Sequence, residues 1–374
     1  MNNEDNLEKS SSETISKTKT IRLKIKDYFI KKNVRPSLKT YFIDAMGKMA
    51  LGLFASLLIG TILDTIGDLS GLNFFVDLGS YATSASGAAM AIAIGYALKT
   101  PPLVLFSLVA VGLASNSLGG AGGPLAVFFI AIISSEIGKL ISGTTKIDIL
   151  VTPLVTIIAG CGLAMLIAPY IGKAAYYIGD AINKATRLQP FLMGIVLAVS
   201  MGIILTLPIS SAAICASFGI TGLAGGAALA GCCCQMIGFA VQSFKANRWS
   251  GLVSQGLGTS MLQMPNIIKK PIVWLPTILA SAICGPLATC VFKLEMNGPA
   301  ISSGMGTCGL VGPIGVIQGW FSDMDSGLKA SITGLDVSGL ILISLVLPIV
   351  LTLIFDFIFK KLKLYTDCDL KLDL

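Results

Sequence analysis

Histidine is absent from all 374 residues. That removes imidazole acid–base chemistry, Ser-His-Asp triads, His-ligated metals and any phosphohistidine carried on this chain. Charge is the second scarcity. Asp, Glu, Lys and Arg make up 13% of the sequence, against roughly 25% in a soluble domain. Hydrophobic residues reach 54% and the mean hydropathy is +0.81. Together these exclude a disordered chain, a secreted disulfide scaffold and most cytosolic enzymes. Glycine, in contrast, is plentiful at 41 residues, above the roughly 7% of average usage. In membrane chains it lets helices approach closely or break.

Nine stretches carry no Asp, Glu, Lys or Arg: 49–63, 78–98, 100–135, 149–172, 188–244, 249–268, 271–292, 296–322 and 337–355. A spanning helix needs about 20 mostly apolar residues, so the expected fold is an all-α integral membrane protein. The glycines and proline of 119–124 divide 100–135 into segments near 102–117 and 124–142. Pro208 and the glycines between 219 and 231 divide the 57-residue stretch 188–244 into two or more. Stretches 249–268 and 296–322 are rich in Gly, Ser, Asn, Gln and Pro, as in re-entrant loops or broken helices. Such backbone is tolerated at membrane depth only where protein or a watery cavity satisfies it.

Residues 1–40 hold ten Lys or Arg against five Asp or Glu, and Lys360, Lys361 and Lys363 follow the last stretch. The positive-inside rule therefore predicts both termini in the cytoplasm and an even number of crossings. The first loop, 64–77, has three Asp and no basic residue, and is expected outside. Lys245, Arg248, Lys269 and Lys270 cannot be assigned a side from charge alone. Residues 1–20 read as a polar tail. Residues 21–32 mix apolar and basic side chains, as does an interfacial helix on anionic lipid or a plain topological anchor. The expected division is 1–40 as a basic tail, 41–363 as the transmembrane domain and 364–374 as a C-terminal tail. The net charge of +7 reflects these flanks and implies no nucleic acid.

Nine cysteines are present, three of them consecutive at Cys232, Cys233 and Cys234. Neighbouring helical residues point about 100° apart, so these three cannot converge on one metal. They read as small packing residues, and no metal or cofactor is expected. Polar residues inside apolar stretches are more informative, because they are costly there and face a bundle interior or cavity. The densest group is the run 255–267, QGLGTSMLQMPNI. Gln255, Gln263 and Asn266 are candidates to line a cavity, with Thr221 and Gln235 nearby on broken helices. Neutral amides and hydroxyls suit an uncharged, polyhydroxylated ligand; the alternative is hydrogen bonding between helices. A short internal echo is visible between 152–162, TPLVTIIAGCG, and 275–285, LPTILASAICG, and paired repeats are common in transporters.

The runs 218–227 (FGITGLAGGA), 231–240 (GCCCQMIGFA), 255–267, 285–289 (GPLAT) and 304–312 (GMGTCGLVG) carry a resemblance. Together they resemble the phosphotransferase-system EIIC-like membrane family that includes the perfringolysin regulator protein, over roughly residues 40–360. The resemblance implies about ten membrane helices with re-entrant hairpins, and 8–10 is the expected count. It also implies a homodimer, a sugar or small polar solute held near the midplane, and separate phosphocarrier subunits as partners. Glucose-type relatives carry a Gly-Ile-Thr-Glu motif whose carboxylate binds the sugar hydroxyl that is phosphorylated. The matching run here is Gly219, Ile220, Thr221 and Gly222, with glycine at the acidic position. Glu295, beside Asn297, is the candidate replacement; its alternative is a loop partner for Lys293. Solute binding without phosphorylation is therefore expected, which makes an enzymatic role less expected than a permease. A ligand-sensing membrane regulator acting through a protein partner is the other function class.

Overall fold

In lipid the backbone must satisfy its own hydrogen bonds, so charge-free stretches become helices. The computed structural model describes residues 27–34 and 37–372, and no strand is present among them. After a helical turn at 27–31 come α1 (Thr40–Gly67), α2 (Asn73–Ser84), α3 (Ser86–Ala97), α4 (Pro102–Gly119), α5 (Gly123–Ile141), α6 (Asp148–Ala185) and α7 (Pro190–Thr206). The second half holds α8 (Ser211–Phe218), α9 (Gly222–Gln242), α10 (Phe244–Val253), α11 (Met264–Lys269), α12 (Pro271–Val291), α13 (Val311–Asp325) and α14 (Gly334–Lys361). The 1–20 tail and the first part of the 21–32 amphipathic segment lie outside the described residues. The later part packs against the end of α5: Tyr28 Oη donates to Leu140 O at 2.6 Å, and Lys32 Nζ donates to Ser142 O.

Six helical runs among the described residues are long and apolar enough to cross a membrane, with two shorter apolar helices, α3 and α7. One of the six, Pro102–Ile141, is a hairpin. It turns at Gly120 (φ +50°), and Gly138 comes back beside Val104. α2 and α3 descend along α1 as one kinked pass, with Gly67 against Val76, Gly60 against Thr83 and Gly52 against Ala89. α6 runs beside both arms of the hairpin, Gly160 meeting Val111 and Ser134 and Gly172 meeting Gly119. Its 38 residues span about 57 Å, far more than a hydrocarbon core of about 30 Å. The part beyond Lys173 carries exposed Tyr176 and Tyr177, side chains suited to a membrane–water boundary.

α9 is the central helix. Its span is 89% buried, whereas that of α6 is 22% buried. Small residues explain how neighbours get so close: a Cβ on Gly231 would collide with Ala198 O of α7, and one on Gly226 with Leu294 O. The three consecutive cysteines of α9 divide between two sides of the core. Cys232 packs with the α7–α8 layer, and Cys233 and Cys234 with α12 and α14.

Charge separates the two ends of the bundle. Asp44, Lys48, Lys99, Lys269 and Lys371 share one cavity, and Lys270 pairs with Asp369 at 2.9 Å. The start of α1, the α3–α4 turn, the α10–α11 region and the chain's C-terminal segment therefore meet at one basic end. Asn247, between Lys245 and Arg248, donates to Leu370 O at 2.8 Å, which puts those two basic residues there as well. The opposite, acidic end holds the start of α9, Glu295, Asp323 and Asp336.

Candidate functional site

At the acidic end, α9 starts at Gly222, whose φ of +62° favours glycine. Its N–H donates to Met296 O at 2.9 Å, and Met296 N–H donates back to Gly222 O at 2.9 Å. This two-residue antiparallel pairing holds residues 294–297 extended, so successive side chains alternate. Leu294 and Met296 are buried, while Glu295 is exposed. The Ser303 hydroxyl donates to Ile220 O at 2.7 Å and ties the next turn to the same loop. A cavity of about 380 Å³ opens here, and Glu295, Asn297, Trp320, Asp323, Lys329 and Asp336 line it.

The Asn297 amide bridges two carboxylates, donating to Asp323 Oδ2 at 2.8 Å and to Glu295 Oε2 at 3.3 Å. Lys329 pairs with Asp336 at 2.8 Å, and its ammonium lies 5.4 Å from the centre of the Trp320 ring. Asp336 also closes the N-terminus of α14 through a capping box with Thr333. Carboxylates and an amide accept and donate to hydroxyls, and an indole face packs on an apolar face. A Cβ on Gly222 would lie 3.8 Å from Asn297 Oδ1. Position 222, where the motif's carboxylate is missing, therefore adjoins Asn297. No ion pair joins Glu295 to Lys293 among the described residues.

The basic end spends its amides differently. Gln255 donates to Ser243 Oγ and Gly251 O, each at 2.8 Å. Gln263 donates to Gln255 Oε1 at 2.9 Å and to Leu370 O at 3.1 Å. Asn266 donates to Gln263 Oε1 at 2.8 Å and to Lys371 O at 2.9 Å. Every amide hydrogen of the three side chains is used, and the relay ends on the backbone of the C-terminal segment. Asn247 clamps that segment too, donating to Leu370 O and accepting from Leu372 N–H, both at 2.8 Å. Tyr365 is buried; its hydroxyl donates to Asp356 Oδ1 at 2.6 Å and accepts from Gln242 at 2.8 Å. Burial first, and the Asp356 carboxylate second, push the Tyr365 hydroxyl well above its ordinary range.

The seven sequence candidates thus fall in three places. Gln255, Gln263 and Asn266 join at the basic end, where Asn266 also lines a cavity of about 650 Å³. Glu295 and Asn297 join at the acidic end; Thr221 immediately precedes α9 beside them, exposed, its hydroxyl donating to Gly219 O at 3.5 Å and not to the helix end. Gln235 stands alone in mid-bundle. It accepts from Trp274 Nε1 at 2.8 Å and Thr277 Oγ1 at 3.0 Å. Trp320, Asp323, Lys329 and Asp336 were not foreseen. Their only sequence signal is that Asp323 and Asp336 flank charge-free stretches, which marks loops and not a site.

A multi-helix bundle with six helical runs long and apolar enough to cross a membrane is the architecture of an all-α integral membrane protein. The chain belongs to the phosphotransferase-system EIIC family, whose description, "Phosphotransferase system, EIIC", matches residues 43–372. It is a multi-pass membrane component of phosphotransferase-system type, a class that takes sugar substrates and works with partner components of that system. No curated protein and no solved structure matches the chain.

Proposed function

We propose that this chain is a permease that binds or conducts a sugar or similar uncharged, polyhydroxylated solute without phosphorylating it. The single observation that carries this reading is the pairing of Gly222 with Met296. It sets Glu295 and Asn297 beside the motif position at which sugar-handling relatives carry a carboxylate. In this reading Glu295, Asn297 and Asp323 hold hydroxyls, and Trp320 receives an apolar sugar face. Gln255, Gln263 and Asn266 act at a distance by holding the C-terminal segment, and Gln235 braces the helices between. Gly222 supplies no base and the chain has no histidine. A positioned general base is worth about 10²–10⁴-fold, so group transfer is not expected.

The same pairing favours one other reading, in which Glu295 is a displaced catalytic carboxylate. One experiment separates the two. The protein is reconstituted in proteoliposomes with labelled sugars, with and without general phosphocarrier proteins and soluble sugar-specific subunits. Unmodified sugar should accumulate. Asn297→Ala should weaken binding by about 1–3 kcal/mol, since it leaves two carboxylates facing each other unbridged. Phosphorylated sugar made by wild type and not by Glu295→Gln would establish the second reading. Wild-type affinity in both variants would move the solute site elsewhere. The concentration of Lys and Arg at the basic end supports a cytoplasmic location for that end and for both termini. Reporter fusions at each terminus test this, and an external signal from either would refute it.

A further inference from the structure

A cavity of about 650 Å³ lies at the basic end, away from Glu295 and Trp320. Its size is within the range of small-molecule sites, roughly 300–1,000 Å³. Among the described residues four lysines line it, Lys48, Lys99, Lys269 and Lys371, against one carboxylate, Asp44. Lys99, Lys269 and Lys371 form no ion pair among the described residues. They come from three separate parts of the chain: the α3–α4 turn, the end of α11 and the C-terminal segment. Like charges gathered from distant positions repel one another unless an anion joins them. The wall is built, not incidental. Asn266 lines the cavity and is itself buried, locked between Gln263 and Lys371 O.

From this geometry we infer a second ligand site, one that takes a small phosphate-bearing anion. It is independent of the solute reading at the acidic end. The lysines supply charge around a multiply charged oxyanion, and Lys contributes as a flexible point charge. The C-terminal segment contributes Lys371 and Leu372 to the wall, so occupancy and docking of that segment are linked. The anion then stabilises the docked segment by mass action. Two sources share this chemistry, a free organophosphate such as a sugar phosphate and the headgroup of an anionic lipid.

The test uses the full chain in nanodiscs. One set contains only phosphatidylcholine, the other also contains phosphatidylglycerol. Thermal unfolding and calorimetric titration are run with inorganic phosphate, glucose 6-phosphate and glucose. Saturable binding of a phosphate compound in neutral nanodiscs that is lost in Lys99→Glu, while any binding of glucose is the same in that variant and wild type, identifies a soluble ligand. Stabilisation by phosphatidylglycerol alone identifies a headgroup. In either case Lys269→Gln and Lys371→Gln should each weaken the effect about fivefold, and Lys99→Glu should abolish it. Lys371→Gln keeps the backbone carbonyl that Asn266 holds, so segment docking survives that change.

No binding from either source, or binding indifferent to all three lysines, overturns the proposal.

Discussion

The two ends of this bundle use similar side chains to opposite purpose. At the basic end Gln255, Gln263 and Asn266 are buried and spend every donor on one another and on backbone. At the acidic end Asn297 bridges two carboxylates at the edge of an open cavity. Amides close together in sequence were consumed by folding. The side chains that line the acidic-end cavity come from residues up to 41 positions apart, Glu295 to Asp336. The difference shows that polar density in an apolar stretch marks an unusual backbone, and that backbone competes with a ligand for the same hydrogen bonds.

The strongest way to break this contrast is at the centre of the basic-end relay. Gln263→Leu leaves Gln255 Oε1 and an Asn266 N–H buried without partners and takes one of two donors from Leu370 O. At about 1–3 kcal/mol for a stranded group, the loss should be about 2–5 kcal/mol, read as a fall in thermal unfolding midpoint. Hydrogen exchange should also show residues 365–372 losing protection. If the midpoint stays at the wild-type value, the relay is not structural and the two ends do not differ in this way.

A smaller effect sharpens the other side. Gly226→Ala pushes a methyl into Leu294 O, where backbone cannot yield cheaply. Overpacking of this kind costs about 1–3 kcal/mol, and it should displace the extended segment 294–297. Solute binding should fall while exchange protection of residues 365–372 is unchanged. Equal loss of protection at both ends would show that they are coupled through α9.

The smallest expected effect is one of pH. The Lys270 ammonium, then the Thr366 backbone N–H, hold the Asp369 carboxyl below the usual carboxylate range. Its contribution to docking the C-terminal segment is therefore complete above the unfolded pKa of 3.8, and lost as pH falls through the lower folded value. Both partners are partly exposed, 38% and 29%, so screening keeps this near 0–1 kcal/mol by the ~0–1 kcal/mol seen for surface pairs. Exchange of the Leu372 amide, compared in Asp369→Asn and wild type from neutral to acid pH, measures it. A gap between the two proteins that widens on acidification would contradict the sign.

Much of the fold was legible. Charge-free stretches became helices because lipid leaves the backbone no other partner, and Gly119–Gly123 turned a 40-residue run into a hairpin as its glycines foretold. Glu295 and Asn297 were legible as rare polar groups next to Gly298 and Pro299. The extra residues of that cavity were not, since Trp320 and Asp323 gain meaning only when Gly315 and Gly319 let α13 close on the 294–299 loop. The last residues read as a tail. In the fold, Tyr365, Leu370 and Leu372 are buried in the core at the basic end.

By itself the sequence determined the solvent, the class of fold and the chemistry that is missing, because these depend on counts and on local hydrogen-bond needs. Only the tertiary structure decided which polar groups are spent and which are free. A side-chain amide has a fixed number of donors and acceptors, and whether a ligand or the protein satisfies them depends on backbone from distant positions: Leu370 and Lys371 for the 255–266 amides, Met296 for Gly222. Those meetings are set by packing over the whole chain, and no local pattern announces them.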